Sequence, residues 1–417
     1  MTFLSWAILL GALINLLVAG RFYFLVRYGK SPALPSAQQE NAVVIMAVRG
    51  CDPTLKKTVK GLLNQNFGDY RIVVVVDNRS DPAWKLLQQI KYESDPDDRM
   101  TLQEMDSPRP NCSLKCNAII GAVESLSVET TWLAFVDADV EVYPDWLADL
   151  LGPLTNPKNC VSTGNQWFEP NDRGSTGALI RSIWNAGAMV PAVLLEHPWA
   201  GSMGVRYEDV IVSTLIDDWK TAIVDDGPMA SFAKQMSGNV FVVPKLMMVN
   251  REDCTKEFAM TWISRMLTWA RLYESTFWMT FVHAAISGGL AICLVTSAIL
   301  SILTFDLFSL LATLLTFVVA AGMLAGGYWI VREAVSASLI QRGLPKLKPL
   351  DRKDWLQLGM WMGPIQLIYL YGCIKAKRAR SISWRGVEYL LFDDGVELVE
   401  YRPYQQQGSE KSEATSL

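Results

Sequence analysis

Three stretches of almost unbroken apolar sequence constrain this chain before any other feature does. They are residues 3–26 (FLSWAILLGALINLLVAGRFYFLV), interrupted only by Asn15 and Arg21, then 277–303 and 307–331. About 20 such residues cross a hydrocarbon core, where backbone groups must find their partners within the segment, so each reads as a membrane helix. The first is a retained anchor (residues 1–30) rather than a secretory signal, because Arg21, Arg27 and Lys30 follow the apolar run and no small-residue cleavage site ends it. Positive charge on that side assigns the following domain to the cytosol. The other two form a hairpin (277–333) around Thr304-Phe305-Asp306, returning the chain to the basic loop QRGLPKLKPLDRK at 341–353. Residues 355–374 have the length of a span but basic flanks on both sides. They read as a re-entrant or interfacial segment broken at Gly363-Pro364, with a full span as the alternative. Residues 375–417 form a tail whose polar end, QQQGSEKSEATSL, reads as disordered.

The sequence of 417 residues therefore holds room for one sizeable soluble domain, placed at 40–255, joined to an integral, multi-pass membrane portion. A net charge of −4 gives no global electrostatic case for nucleic acid. The seven cysteines are scattered, with no pairing to close a zinc site, and two histidines exclude a multi-His metal centre. Any divalent metal must then be held by carboxylates and phosphates, which favours Mg²⁺ or Mn²⁺.

Within 40–255, NAVVIMAV (41–48) and YRIVVVVD (70–77) are β-branched runs around an amphipathic helix at 53–66. Strands of this kind are buried on both faces, and strand-helix-strand implies a parallel, right-handed crossover in a Rossmann-like, mostly parallel α/β sheet. TWLAFVDAD (131–139) is a third strand ending in acids. Ligands in open α/β sheets bind beyond the carboxyl ends of strands, so Asp77 and Asp137 are expected at one crevice.

FVDADV (135–140) carries the most specific chemistry. Residues i and i+2 of an extended segment face the same way, which aims Asp137 and Asp139 at one site where a hard divalent ion relieves their repulsion and bridges to a diphosphate. A turn or helix-start pair of acids is the plainer alternative. Asp77, in DNRSD, suits a nucleoside contact or simple turn chemistry. Asp225 and Asp226, in AIVDDGPM, suit a general base for a hydroxyl acceptor or a helix cap. MTWISRMLTWARLYESTFW (260–278) sets Trp262, Arg265, Trp269, Arg271 and Tyr273 on an interfacial amphipathic helix (256–276), able to reach phosphates or only to anchor.

Taken in order, these strings resemble the inverting, family 2-like glycosyltransferases with a GT-A fold, and within them the ceramide glucosyltransferase group. VRGCDPTLKKTV looks like that group's first βα turn, pointing to Arg49, and DNRSDPAW like its first acidic motif, pointing to Asp77 and Asp81. SLKCNAI is similar to its donor-binding stretch, with Lys115 and Asn117, and GSMGVR to its Gly-Ser loop, with Gly201 and Ser202. FVDADV matches its metal and diphosphate motif, VDDGPM its base motif with Asp226 as the base, and SISWRGVEYLL (381–391) its Trp-Arg-Gly-x-x-Tyr tail. The resemblance implies Arg265, Trp269 and Arg271 at the catalytic centre, although RMLTW (265–269) has Thr268 where the group has an arginine. Either Arg271 supplies that charge or Arg265 acts alone. The implied activity is transfer of a hexose, glucose from UDP-glucose, to a membrane-lipid hydroxyl of ceramide type, giving a β-glycolipid. Diacylglycerol or hopanoid acceptors and a processive polysaccharide synthase are the alternatives.

Overall fold

A computed structural model describes residues 3–392 and 395–404; the polar end of the tail lies outside the described residues. The chain divides into two compact units, one of Met1–Gly29, Trp167–Leu194 and Arg251–Arg378, the other of Lys30–Gln166, Leu195–Asn250 and Ala379–Leu417. This differs from a contiguous domain at 40–255. Residues 167–194 group with the long helices because they form an apolar helix of their own, and the tail from 379 groups with the sheet because it folds into strands rather than trailing away.

The sheet unit is built on seven strands: β1 (Ala42–Val48), β2 (Tyr70–Val76), β3 (Met100–Glu104), β4 (Trp132–Val136), β5 (Asn159–Phe168), β6 (Ser202–Arg206) and β7 (Asn239–Asn250). Their order is β3-β2-β1-β4-β6-β5-β7. β1 runs parallel to β2 in the register Ala42↔Tyr70 through Val48↔Val76, and parallel to β4; β2 is parallel to β3, while β6 is antiparallel to β4 and β5. The connection between β1 and β2 is the Leu55–Leu63 helix, whose Leu55, Val59 and Leu62 face the core beside Val44, Met46 and Val74. Both faces of the parallel strands are covered, which is why β1 and β2 read as continuous apolar runs. Parallel pairing ends β1, β2 and β4 on one edge, so Arg49, Asp77 and Asp137, each the residue after its strand, emerge together.

A second, three-stranded antiparallel sheet, β8 (Ser381–Trp384), β9 (Val387–Leu391) and β10 (Val396–Leu398), forms from the tail in the same unit, in the order β10-β9-β8. The β8–β9 hairpin turns on Arg385 and Gly386, both left-handed, with φ +48° and +76°. Two residues with positive φ match the twist of a tight hairpin.

Among the described residues, the helical unit holds four helices long and apolar enough to cross a membrane: Phe3–Tyr28, Thr176–Leu194, Phe277–Leu303 and Leu307–Gln341. Of these, Thr176–Leu194 is the one the sequence did not single out; it is two-thirds buried against protein. Phe3–Tyr28 packs along Leu307–Gln341, with Leu16 and Ala19 seated against Gly326 and Gly327. Small residues at such crossings let helices approach where lipid leaves no hydrophobic gain between them. The helix Leu307–Gln341 is about 52 Å long at 1.5 Å per residue, well beyond a hydrocarbon core. Residues 352–378 form two helices, Arg352–Trp361 and Pro364–Arg378, interrupted at Met362-Gly363. The break falls where Pro364 has no N–H to continue the ladder.

Candidate active site

The site at the carboxyl edge of the parallel strands is organised by one cation. Lys115 Nζ lies 2.5 Å from Asp137 Oδ1 and 2.9 Å from Asp225 Oδ1, both acids buried. Lys115 sits in the first turn of the Leu114–Glu124 helix, capped by Ser113, whose hydroxyl accepts the Cys116 N–H. Burial alone would discharge this lysine, but Asp137 and Asp225 together hold it strongly protonated.

Asp226 follows directly. Its Oδ2 accepts the Ala200 N–H at 2.9 Å, and its carboxyl, ringed by protein yet partly accessible, is pushed up to about 7 by burial and then by the Asp225 charge. Asp225 is raised as well, chiefly by burial, with Lys115 opposing. A carboxyl poised near neutrality with an open face is the kind of group that can take a proton from a hydroxyl.

On the other side of Asp137 the pocket is lined by Arg49, Asp77, Lys115, Asp137, Trp384, Arg385 and Tyr389 among others. Asp77 is buried and receives Asn78 Nδ2 at 2.7 Å, the Tyr404 N–H at 3.0 Å and an ion pair from Arg49. Arg49 also donates to the carbonyls of Arg385 and Arg402, at 3.1 and 2.8 Å. Arg385 in turn grips both oxygens of Asp52 at 2.9 Å, and both Asp137 and Asp139 lie close enough to help keep it charged.

One expectation needs correction, and three further residues take places that the sequence did not specify. The segment after β4 is not extended: Val140 N–H returns to the Asp137 carbonyl at 3.3 Å, so Asp137 and Asp139 sit in a turn. They share one locality through that turn and through Arg385, not through strand alternation. Ser202 lies inside β6, fully buried, with its hydroxyl accepting Trp146 Nε1, and does not line the pocket; Gly201 is nearer the centre, its carbonyl facing the Asp137 N–H at 3.4 Å. Asn117 is buried on the loop side of its helix, receiving Arg109 and donating to the Asp106 carbonyl. Asp81 caps the Pro82–Ser94 helix and spends its oxygens on the Ala83 and Gly50 N–H groups, so it shapes the first βα turn rather than facing the pocket.

Arg265, Trp269 and Arg271 lie on the Lys256–Tyr273 helix of the helical unit, each partly exposed. Thr268 is buried there and donates its hydroxyl to the Ser264 carbonyl at 2.8 Å. The position where the resembled group has arginine is thus turned into packed protein in this chain.

For a divalent ion, no group of three or more His, Cys, Asp or Glu side chains able to hold a metal occurs among the described residues. Asp137 and Asp139 are two buried acids in one turn, and Asp139 has one oxygen held by Asn250 Nδ2 at 3.1 Å. Such a pair fits a hard ion completed by substrate phosphates and water, the habit of Mg²⁺ and Mn²⁺, and not an all-protein cage.

Reasoning from sequence missed Asp52, Tyr404 and Asp225's pairing with Lys115, and it named Arg385 only within the Trp-Arg-Gly-x-x-Tyr string, without a role. Asp225 was visible as the first acid of a doublet. The tail residues carried no local sign that they return to the first βα turn.

A family model described as Glycosyl transferase family 21 matches residues 6–396. A search of curated proteins finds no match. Among solved structures, the chain is similar to a mannosyltransferase, PcManGT, from Pyrobaculum calidifontis in complex with GDP-Man and Mn²⁺, with 16% identity over 90% of this chain and 98% of that one, TM-score 0.45. It is also similar to S. aureus TarS 1–349, with 13% identity over 87% and 99%, TM-score 0.36. A third likeness is to glucosyl-3-phosphoglycerate synthase from Mycobacterium tuberculosis in complex with Mn²⁺, UDP-glucose and glycerol 3-phosphate, with 13% identity over 59% and 88%, TM-score 0.38.

Proposed function

The chain belongs to glycosyl transferase family 21, with a GT-A fold in its sheet unit and candidate membrane helices in the other, and from that membership we propose a membrane-bound, inverting hexosyltransferase. Its donor is a nucleotide sugar, UDP-glucose first, and its acceptor the hydroxyl of a membrane lipid, ceramide-type first, at the cytosolic face. The observation that carries this reading is the cluster Asp137–Lys115–Asp225 with the half-open Asp226 beside it.

Asp226 takes the acceptor proton as the hydroxyl attacks the anomeric carbon opposite the departing nucleotide, which gives inversion. The N–H of Ala200 fixes the carboxyl so that one oxygen stays turned to the acceptor. Lys115 pairs with Asp137 and Asp225 and holds them in place, and its own charge faces the side where diphosphate charge develops. Asp137 and Asp139 would hold a divalent ion, which when bound supplies electrostatic stabilisation of the leaving diphosphate. Arg49 and Asp77 bound the nucleoside end. Four apolar helices in the same chain support an acceptor that resides in the bilayer.

Full-length protein in detergent, incubated with labelled UDP-glucose, UDP-galactose and GDP-mannose against ceramide, diacylglycerol and a hopanoid, should yield a single-sugar β-glycolipid on thin-layer chromatography. Label found only as free sugar, or as a long polymer, would refute the assignment.

A further inference from the structure

At the nucleoside end of the pocket, this chain already fills the place a donor would take. The cavity there measures about 60 Å³, while pockets for ligands of drug or cofactor size run to roughly 300–1,000 Å³. The missing room is taken by Trp384, Arg385 and Tyr389, which line the cavity, and by Tyr404, which lies over Arg49 and Gly50. Arg385 stands at a hairpin tip in a left-handed conformation that non-glycine residues rarely adopt, and it spends its guanidinium on both oxygens of Asp52 and on the Arg49 carbonyl. Tyr389 takes the Leu114 N–H on its hydroxyl at 3.2 Å, tying β9 to the helix that carries Lys115. These contacts make a fixed wall.

The residues that follow differ in kind. Tyr404 donates its backbone N–H to Asp77 Oδ2 at 3.0 Å and lays its ring 5.6 Å from the Arg49 guanidinium. That ring also lies over Gly50, where an added Cβ would come within 2.7 Å of it. A donor group on the Asp77 carboxylate and a flat ring beside Arg49 are what a ribose or base edge and a nucleobase would supply.

We propose that the C-terminal segment is part of the donor site, with Arg385 as a positioning residue in its fixed wall and Tyr404 as a latch that the donor's nucleoside displaces. This rests on the nucleotide-sugar reading above. Loading then requires Tyr404 to leave Asp77, so apparent donor affinity is reduced by the fraction of molecules still latched.

The test is UDP binding by calorimetry to full-length protein in detergent with Mn²⁺, alongside amide exchange of the peptide covering 399–404. Tyr404→Pro, which deletes the N–H, and Tyr404→Ala, which deletes the ring, should tighten UDP binding about three- to tenfold by removing that competition. Exchange at 399–404 in the unaltered protein should rise when UDP is added. Arg385→Lys should weaken UDP binding and raise the donor KM more than it changes kcat of the folded fraction. Unchanged or weaker UDP binding in both Tyr404 variants overturns the latch, and UDP binding unaffected by Arg385→Lys overturns the positioning role. If neither UDP nor GDP binds the unaltered protein or any variant, the nucleotide-donor reading itself fails and the latch with it.

Discussion

Each unit of this protein buries ionised groups, and the two do so in opposite ways. In the helical unit Arg332 meets Glu169 through Nε and Nη2, at 3.2 and 2.6 Å, and its Nη2 also reaches the Lys348 carbonyl. Trp167 Nε1 donates to the same carboxylate at 3.0 Å. One cation faces one anion, with a carbonyl completing the cation and an indole N–H completing the anion. In the sheet unit, Asp52, Asp77, Asp137, Asp139, Asp225 and Asp226 gather around Arg49, Lys115 and Arg385. Six acids against three bases leave a surplus of carboxyls that packing alone does not call for, and two of them, Asp225 and Asp226, hold a proton more tightly than a free carboxyl does. A balanced buried pair is a structural element, since breaking it costs more than it gains over an apolar one. An unbalanced cluster at the ends of parallel strands is a place for an added cation and a proton in transit.

That contrast can be broken from either side. The largest effect expected is for Asp226→Asn, which should bind donor normally yet lose about a hundredfold or more in kcat, the usual size of a general-base contribution; near-normal turnover removes Asp226 as the base. Next comes pH. With Asp226 raised to about 7, its ionised form is lost below that value, so kcat/KM should fall about tenfold per unit beneath pH 7 and level off above. The same shift acts on stability with the opposite sense: the folded state holds this proton more tightly than the unfolded chain does. Asp226 therefore favours folding at low pH, and that contribution declines as pH rises from 3.8 towards 7. A flat rate profile through pH 5–8 would contradict it.

Smaller rate effects belong to the helical unit. Arg271→Ala should reduce kcat/KM well beyond Thr268→Ala, because Thr268 is buried and hydrogen-bonded within its helix while Arg271 keeps a partly exposed face. Equal, mild losses would discard the idea that Arg271 replaces the absent arginine. Glu169→Gln should change kcat/KM of the folded fraction least of all, while lowering stability by about 3–5 kcal/mol, as loss of one partner from a buried ion pair does. Thermal melting in detergent reads the second quantity; a melting point that stays put with activity abolished would reverse the roles assigned to the two clusters.

How much of this was legible beforehand follows from the range of each interaction. β1 and β2 were readable because burial on both faces forces a continuous apolar run, and the emergence of Asp77 and Asp137 at one edge follows from parallel pairing. The apolar spans were readable from length alone. Thr176–Leu194 was not, because serine, asparagine, arginine and proline interrupt it, and Arg181, Ser182 and Asn185 are accommodated by burial against protein. The orientations of Ser202 and Asn117 were not legible for a related reason: a motif names residues near a site but not which way each side chain turns, and both turn into local hydrogen bonds. The pairing of Lys115 with Asp225 spans 110 positions, and Arg385 reaches Asp52 across 333, so neither leaves a trace in local pattern.

The central claim is that the acidic surplus in the sheet unit exists to hold a divalent cation and a nucleoside diphosphate together. Calorimetric titration of UDP into the full-length protein, with and without Mn²⁺, and into the doubly substituted Asp137→Asn, Asp139→Asn form, addresses it directly. Binding that requires Mn²⁺ and vanishes in the double variant is the predicted result. UDP binding of equal strength in all three conditions would contradict it.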